Sequence, residues 1–346
     1  MRNKVIGLVV GAAITVGLLA WVLRDVVFAE VWQSALAAHW GYLLAAVVVA
    51  TFGFVLRIPR WQILLRGEED RILPARSLWH SIAIGFMANN LIPFRAGEFL
   101  RAAAIHRLER VSVPTALSSL VAERLFDALT VLALLFLGLL TAGIPADAEI
   151  GGFAIHRIAR QLAVAPALLL AACLIALFFP ALMQRIIRSV VPSPRLADWL
   201  CGFIDGITAG LSVFRSPSRV VVTAFWSILH WLNNAFSFYL GFKAFGIEVG
   251  LGGAILMQSV LVVLIAVPST PGYFGVFEAA IKSVLVVLGV SATTAVAYAV
   301  TYHFTTFVPI TLLGLWSAAR TPTRLGTAPI GTGPTPSAPQ NRDHAS

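Results

Sequence analysis

Charge is what this chain has least of. Charged residues fill 12% of its 346 positions and hydrophobic residues 58%, whereas about a quarter of a soluble domain is charged. The length alone would fit one or two soluble domains, but most of it is spent on apolar runs, so a membrane protein is expected. Cysteine is nearly missing: Cys173 lies in an apolar run and Cys201 in an Arg-rich loop. Without C-x-x-C spacing or a nearby His cluster, neither a disulfide framework nor a zinc site is indicated. H-E-x-x-H, G-x-S-x-G and G-x-x-x-x-G-K-[ST] are absent, which removes the common zinc-peptidase, serine-hydrolase and phosphate-loop chemistries. No cofactor is called for, and any transport is passive or driven by an ion or lipid gradient. Lysine is scarce too. Only Lys4, Lys243 and Lys282 join the arginines in a net charge of +9. Those arginines lie between apolar segments and not on one soluble face, which points to positive-inside topology and anionic headgroups, not to nucleic acid.

Apolar runs of spanning length are Val5–Leu23, Tyr42–Leu56, Leu125–Ala142, Leu162–Pro180, Val220–Phe242 and Thr293–Ala319. A helix needs about 20 residues to cross the hydrocarbon, so the shorter runs must extend or tilt. The first run reads as an uncleaved span, because its end lacks a small-x-small cleavage site. Two further regions are broken: Leu78–Ile92, and the pair Leu251–Val267 and Val276–Val290. Arginine is dense in three stretches, Arg57 to Arg76, Arg95 to Arg124 and Arg185 to Arg219. All three fall in the cytoplasm, with both termini, only if the broken regions dip in and return. The expected fold is all-α and polytopic, with about six full spans and two re-entrant pairs in a weak inverted repeat. It occupies residues 1–320. Residues 321–346, rich in Pro, Thr, Gly and Ser, read as a disordered cytoplasmic tail with no soluble catalytic domain.

Each broken region carries Pro, Gly and an acid. In the first, Asn89-Asn90 precedes Pro93, Arg95, Gly97, Glu98 and Arg101; in the second, Pro268 precedes Pro271, Gly272, Gly275 and Glu278. Helix-breaking backbone and charge are costly in hydrocarbon and survive only when buried in protein or lining a wet cavity. Arg95, Glu98 and Arg101 share a broad helical face, and guanidinium groups suit a phosphate because they bind two oxygens at once. Glu123, Arg124 and Asp127 stand at the mouth of a span and should face the interior, pairing with Arg95 or Arg101. The competing reading of both groups is structural ion pairing. Glu278 and Lys282, four apart, read equally as an ordinary intrahelical pair, and Gly272 and Gly275 as a tight re-entrant turn. His230, Asn233, Asn234, Gln258 and His303 suggest interhelical hydrogen bonds.

These elements, Asn90 through Arg101, then Glu123-Arg124-Leu125-Phe126-Asp127, then Pro268 through Glu278, resemble the flippase-like transmembrane domain of the lysylphosphatidylglycerol synthase family. The resemblance implies a bacterial inner-membrane protein that moves phospholipid between leaflets. It further implies that Arg95, Glu98, Arg101, Glu123, Arg124, Asp127 and Glu278 line the headgroup path, with Asn90, Pro93, Gly97, Pro271, Gly272 and Gly275 shaping it. No segment here resembles the aminoacyltransferase domain of the full-length prototype, so lysyl transfer is not expected. The expected partners are membrane phospholipids with anionic headgroups or polyprenyl-linked lipids. Two other readings stand beside transport: a membrane-embedded lipid-modifying enzyme, and an accessory subunit docking a lipid synthase or glycosyltransferase. Self-association is open.

Overall fold

The computed structural model describes residues 17–24, 27–65, 71–92, 96–144, 216–265 and 271–321, with shorter pieces between 149 and 201. Pro93, Arg95, Pro268, Cys173, most of Val5–Leu23 and Leu162–Pro180, and the tail from 322 lie outside the described residues. Among the described residues, ten helices carry the fold: α1 (Phe28–Ala37), α2 (Trp40–Leu65), α3 (Ala75–Leu91), α4 (Gly97–Glu109), α5 (Val113–Thr141), α6 (Pro180–Val190), α7 (Pro217–Ala244), α8 (Leu251–Ile265), α9 (Val276–Val287) and α10 (Ala292–Arg320). A turn of 3-10 helix, Pro271–Tyr273, precedes α9. Two-residue strands, β1 (Glu149–Ile150) and β2 (Phe153–Ala154), pair antiparallel. The described residues are all-α apart from that pairing.

The long helices start where the sequence supplies caps. Ser112, Ser216 and Ser291 each accept a hydrogen bond from the backbone N–H three residues on, opening α5, α7 and α10. Pro114 and Pro217 stand in the first turns of α5 and α7, where no helical N–H is needed. Helices α2, α5 and α10, at 26, 29 and 29 residues, are long and apolar enough to span a membrane. Helix α7 has the same reach, 28 residues, but carries His230, Asn233 and Asn234 along its middle. By contrast α3, α4, α8 and α9 hold 17, 13, 15 and 12 residues. At ~1.5 Å per residue none reaches ~30 Å alone. These are the two broken pairs read from the sequence.

The packing repeats itself. Exchange α2 with α7, α3 with α8, α4 with α9 and α5 with α10, and the chief neighbours are preserved. Helix α2 packs on α7; α3 packs on α10 as α8 packs on α5; α3–α4 and α8–α9 are matched pairs. Both cross-contacts close on a glycine. A Cβ at Gly138 would strike the Leu256 backbone at 2.7 Å, and one at Gly314 would meet the Ala83 carbonyl at 2.6 Å. Small residues at such crossings let backbones approach where no hydrophobic drive distinguishes helix from lipid. Outward faces are apolar: Leu44, Val48, Phe52 and Val55 form an exposed stripe on α2, as a lipid-facing helix requires.

Helix α6 differs. Its sequence, PALMQRIIRSV, puts Leu182, Ile186 and Val190 on one exposed stripe and Arg185 and Arg188 on the other side. Such a helix is too short to span and is shaped to lie in the headgroup layer, arginines toward anionic lipid. A spin label at residue 186 of the full protein in phosphatidylglycerol-containing bilayers should be accessible to oxygen and shielded from a water-soluble nickel chelate. Free access to the chelate would place this helix in water.

Candidate functional site

Buried charge converges on one carboxylate. Glu123 of α5 is fully buried and contacts four guanidinium groups: Arg57 at 3.0 Å, Arg60 at 2.9 Å, Arg101 at 2.9 Å and Arg124 at 3.0 Å. Arg101 grips it with both terminal nitrogens, the strong bidentate geometry. One turn on, Asp127 accepts from Arg60 at 2.6 Å and from the Trp231 indole at 2.9 Å. Arg124 spans Asp127 at 3.5 Å and Glu98 at 3.6 Å. Arg101 lies 3.8 Å over the Trp61 ring, and Arg57 4.7 Å over Phe86, so aromatic faces replace water around cations.

The charges do not cancel. Among the described residues, four arginines face three carboxylates, which leaves one net positive charge. Nor are the donors used up: among the described residues, Nε of Arg60, Arg101 and Arg124 has no hydrogen-bond partner. Arg60 also meets Glu123 by Nη2 at 2.9 Å without hydrogen-bond alignment, so that contact is charge attraction only. Unfilled guanidinium donors beside a surplus positive charge can receive an anion's oxygens. Arg124, with 41% of its side chain exposed, is the way in.

Backbone features hold this arrangement. Gly97, the first residue of α4, donates its N–H to the Asn89 side chain at 2.9 Å. A Cβ there would fall on the Gly85 carbonyl oxygen. This close approach sets Arg101, one turn later, against α5. Asn90 reaches the other half of the molecule, donating to Thr311 of α10 at 2.9 Å.

The second broken region comes to the first. Its 3-10 turn packs on α3, and Tyr273 lies within electrostatic range of Arg124. Gly272 and Gly275 adopt φ of 70° and 88°, backbone that favours glycine. Tyr273 between them has φ of 60°. Pro271 opens the turn. Glu278 accepts from the Gly275 N–H at 2.7 Å and pairs with His303 of α10 at 2.6 Å. The intrahelical Glu278–Lys282 pair expected from spacing gives way to outside partners, since Lys282 donates to the Val22 carbonyl at 2.8 Å. Interhelical bonding holds for Asn233, which donates to the Val49 carbonyl. Among the described residues, the buried Gln258 amide has no hydrogen-bond partner.

Residues 6–314 match the family described as the lysylphosphatidylglycerol synthase TM region. The chain belongs to that family. Two relatives, both from Methanothermobacter thermautotrophicus and both named UPF0104 membrane protein, are 25% identical to it. One aligns over 82% of this chain and 84% of its own length, the other over 79% and 83%. What they share with it is membership of a membrane-protein group, and they are archaeal, so a bacterial setting is not a common property. Every residue from Asn90 to Glu278 discussed above falls inside the matched region.

Within this family member, sequence reasoning passed over Arg57 and Arg60, read only as topology signals. The missed clue is their place: they flank Pro59 inside a helix that continues to Leu65, so they cannot be loop residues. Trp61, Ser227 and Trp231 carried no signal, since partners for a guanidinium or an acid 104 to 167 residues away, or the Arg101 guanidinium over the Trp61 ring, are invisible in sequence.

Proposed function

We propose that this protein moves a lipid with an anionic, phosphate-bearing headgroup between leaflets, the headgroup passing the arginine–carboxylate cluster while the tails stay in the bilayer. The observation that carries the reading is the uncancelled positive charge around Glu123 among the described residues, with open guanidinium donors and an exposed edge at Arg124. A purely structural network gains nothing from a surplus buried cation, which costs several kcal/mol to dehydrate. Family membership and the two broken pairs, meeting at the 3-10 turn, support the same reading. Against a lipid-modifying enzyme stands the pairing of both buried acids: Glu123 and Asp127 are engaged by arginines and not poised as bases. A resident plasma-membrane location with both termini in the cytoplasm belongs to the same proposal.

The test is leaflet exchange of labelled phosphatidylglycerol in proteoliposomes, comparing wild type with Arg124→Gln. That change removes the surplus charge at the exposed edge and leaves Arg57, Arg60 and Arg101 on Glu123. Exchange should fall more than tenfold, which is ~1.4 kcal/mol, with phosphatidylcholine little affected. Wild-type exchange no faster than that of empty vesicles, for several headgroups, would favour the enzyme or accessory-subunit readings.

A further inference from the structure

The arginine cluster leaves Glu278 and His303 unexplained. They project from α9 and α10 and meet at 2.6 Å, their side chains 3% and 6% exposed. Aromatic rings enclose them: Phe277 stacks on the imidazole at 4.1 Å and Phe274 lies at 4.6 Å, with Phe307 beyond. An ionisable pair in such surroundings is expensive, and apolar residues of similar volume would join two helices as well or better. What apolar residues cannot do is take up and release a proton. With Nδ1 turned to the carboxylate, the imidazole donates there, and Nε2 is the nitrogen left to bind a proton. Uptake turns a pair of charge −1 into a neutral imidazolium–carboxylate pair.

The same carboxylate is tied to a hinge. Its second oxygen holds the Gly275 N–H, the point where α9 leaves three positive-φ positions, Gly272, Tyr273 and Gly275, within four residues. That hinge packs on α3, with Tyr273 near Arg124. A change of charge on the Glu278–His303 pair therefore acts through Glu278 on the helix cap, then the hinge, then the edge of the arginine cluster.

Among the described residues, the helices packed on α10 carry Glu30 of α1, Arg57 and Arg60 of α2, Arg76 and His80 of α3, and Arg219, His230 and Lys243 of α7. Lys282, one turn along α9, is bound to the carbonyls of Trp21 and Val22. Tyr298 and Tyr302 of α10 bond to the Phe238 carbonyl and Ser237. Helix α8 and residues 17–23 bring no titratable side chain, and Glu149 belongs to β1, which also packs on α9.

We infer that Glu278 and His303 form a proton-binding site that couples passage of the anionic headgroup to a proton gradient through the hinge at 272–275, an inference that rests on the transport reading above. One proton and one headgroup charge of −1 enter from the same side, the proton bound at Nε2, and both leave on the other. No net charge crosses, and no bond other than N–H forms or breaks. Neutralising the pair removes its repulsion of the entering anion, which makes the movement symport.

The experiment uses proteoliposomes of phosphatidylcholine and phosphatidylglycerol with labelled phosphatidylglycerol, with and without a pH difference of two units. Wild type should enrich the label in the leaflet facing the alkaline side. The limit is about 100-fold for one proton per lipid, since each pH unit supplies a tenfold ratio. Nigericin should abolish the enrichment. His303→Gln should exchange lipid at a rate that no longer responds to the gradient. Glu278→Gln, which keeps an acceptor for the Gly275 N–H, should lose the response as well. Wild-type exchange indifferent to the gradient, or enrichment on the acid side, overturns the coupling and leaves transport standing. A His303→Gln protein that still follows the gradient overturns the assignment of the pair. No wild-type exchange under any gradient overturns the transport reading and the coupling with it. Should both variants fail to fold, the wild-type gradient response decides.

Discussion

Glu123→Ala is expected to lose about 3–5 kcal/mol of folding stability, the cost of breaking a buried ion network by removing one member. Few domains have more than about 5–15 kcal/mol to lose, so the protein should survive in detergent only at low temperature. The size follows from the geometry. Glu123 is the carboxylate common to Arg57, Arg60, Arg101 and Arg124, and without it only Asp127 and the half-open Glu98 remain to face four cations. The measurement is unfolding in detergent micelles, with Glu98→Gln as contrast. Glu98 is 26% exposed and lies 3.6 Å from Arg124, so its loss should cost no more than about 1 kcal/mol. A Glu123→Ala protein within 1 kcal/mol of wild type would refute the view that this carboxylate organises the site. The network also predicts non-additivity: adding Arg57→Met to Glu123→Ala should cost less than the two changes summed, because it withdraws a cation left without its acid.

How far the sequence reaches depends on whether the signal is local. The broken helices were legible because Pro and Gly act on their own backbone. Leu251–Val267 and Val276–Val290 correspond to α8 and α9, and Leu78–Ile92 to α3, within a few residues. The spans Tyr42–Leu56, Val220–Phe242 and Thr293–Ala319 lie inside longer helices, and Leu125–Ala142 runs one residue past the end of its own, because arginine-bearing turns such as Arg57 to Leu65 continue the helix beyond the apolar run. The charged constellation was only half legible. Spacing put Glu123 and Asp127 on one face, and burial of that face followed from the cost of charge in lipid. Nothing local tied them to Arg57 and Arg60, which looked like topology charges until Pro59 proved to lie inside a helix. Spacing misjudged Lys282, since four residues along a helix permits a pair with Glu278 but does not outweigh the Val22 carbonyl in a segment packed alongside.

Gly97→Ala should disable the site without touching a charge. Gly97 opens α4 where α4 crosses α3, and the added methyl would land on the Gly85 carbonyl oxygen and lie 2.6 Å from the Asn89 side-chain carbon. Neither backbone nor a capping amide can retreat as a flexible side chain does, so the two short helices must part. Overpacking of this kind costs about 1–3 kcal/mol. It also breaks the Asn89 cap on the Gly97 N–H, worth about 1 kcal/mol. The larger effect is on geometry. Arg101 stands one turn further along α4, and its paired bonds to Glu123 at 3.1 and 2.9 Å do not survive a displacement of about 1 Å, because hydrogen bonds weaken steeply with misalignment. Lipid exchange should therefore fall by more than tenfold in a protein that still folds. Gly85→Ala, whose methyl would meet Arg101 and the Gly97 carbonyl at 3.0 and 3.1 Å, should show a weaker form of the defect. Gly41→Ala, with its nearest neighbour at 3.8 Å, should exchange lipid at the wild-type rate and gain up to about 1 kcal/mol from the better helix former. Equal exchange by all three proteins would mean that the close approach of α3 and α4 only packs the helices together and does not set the headgroup path. A loss confined to Gly97→Ala and Gly85→Ala would tie transport to the position of Arg101.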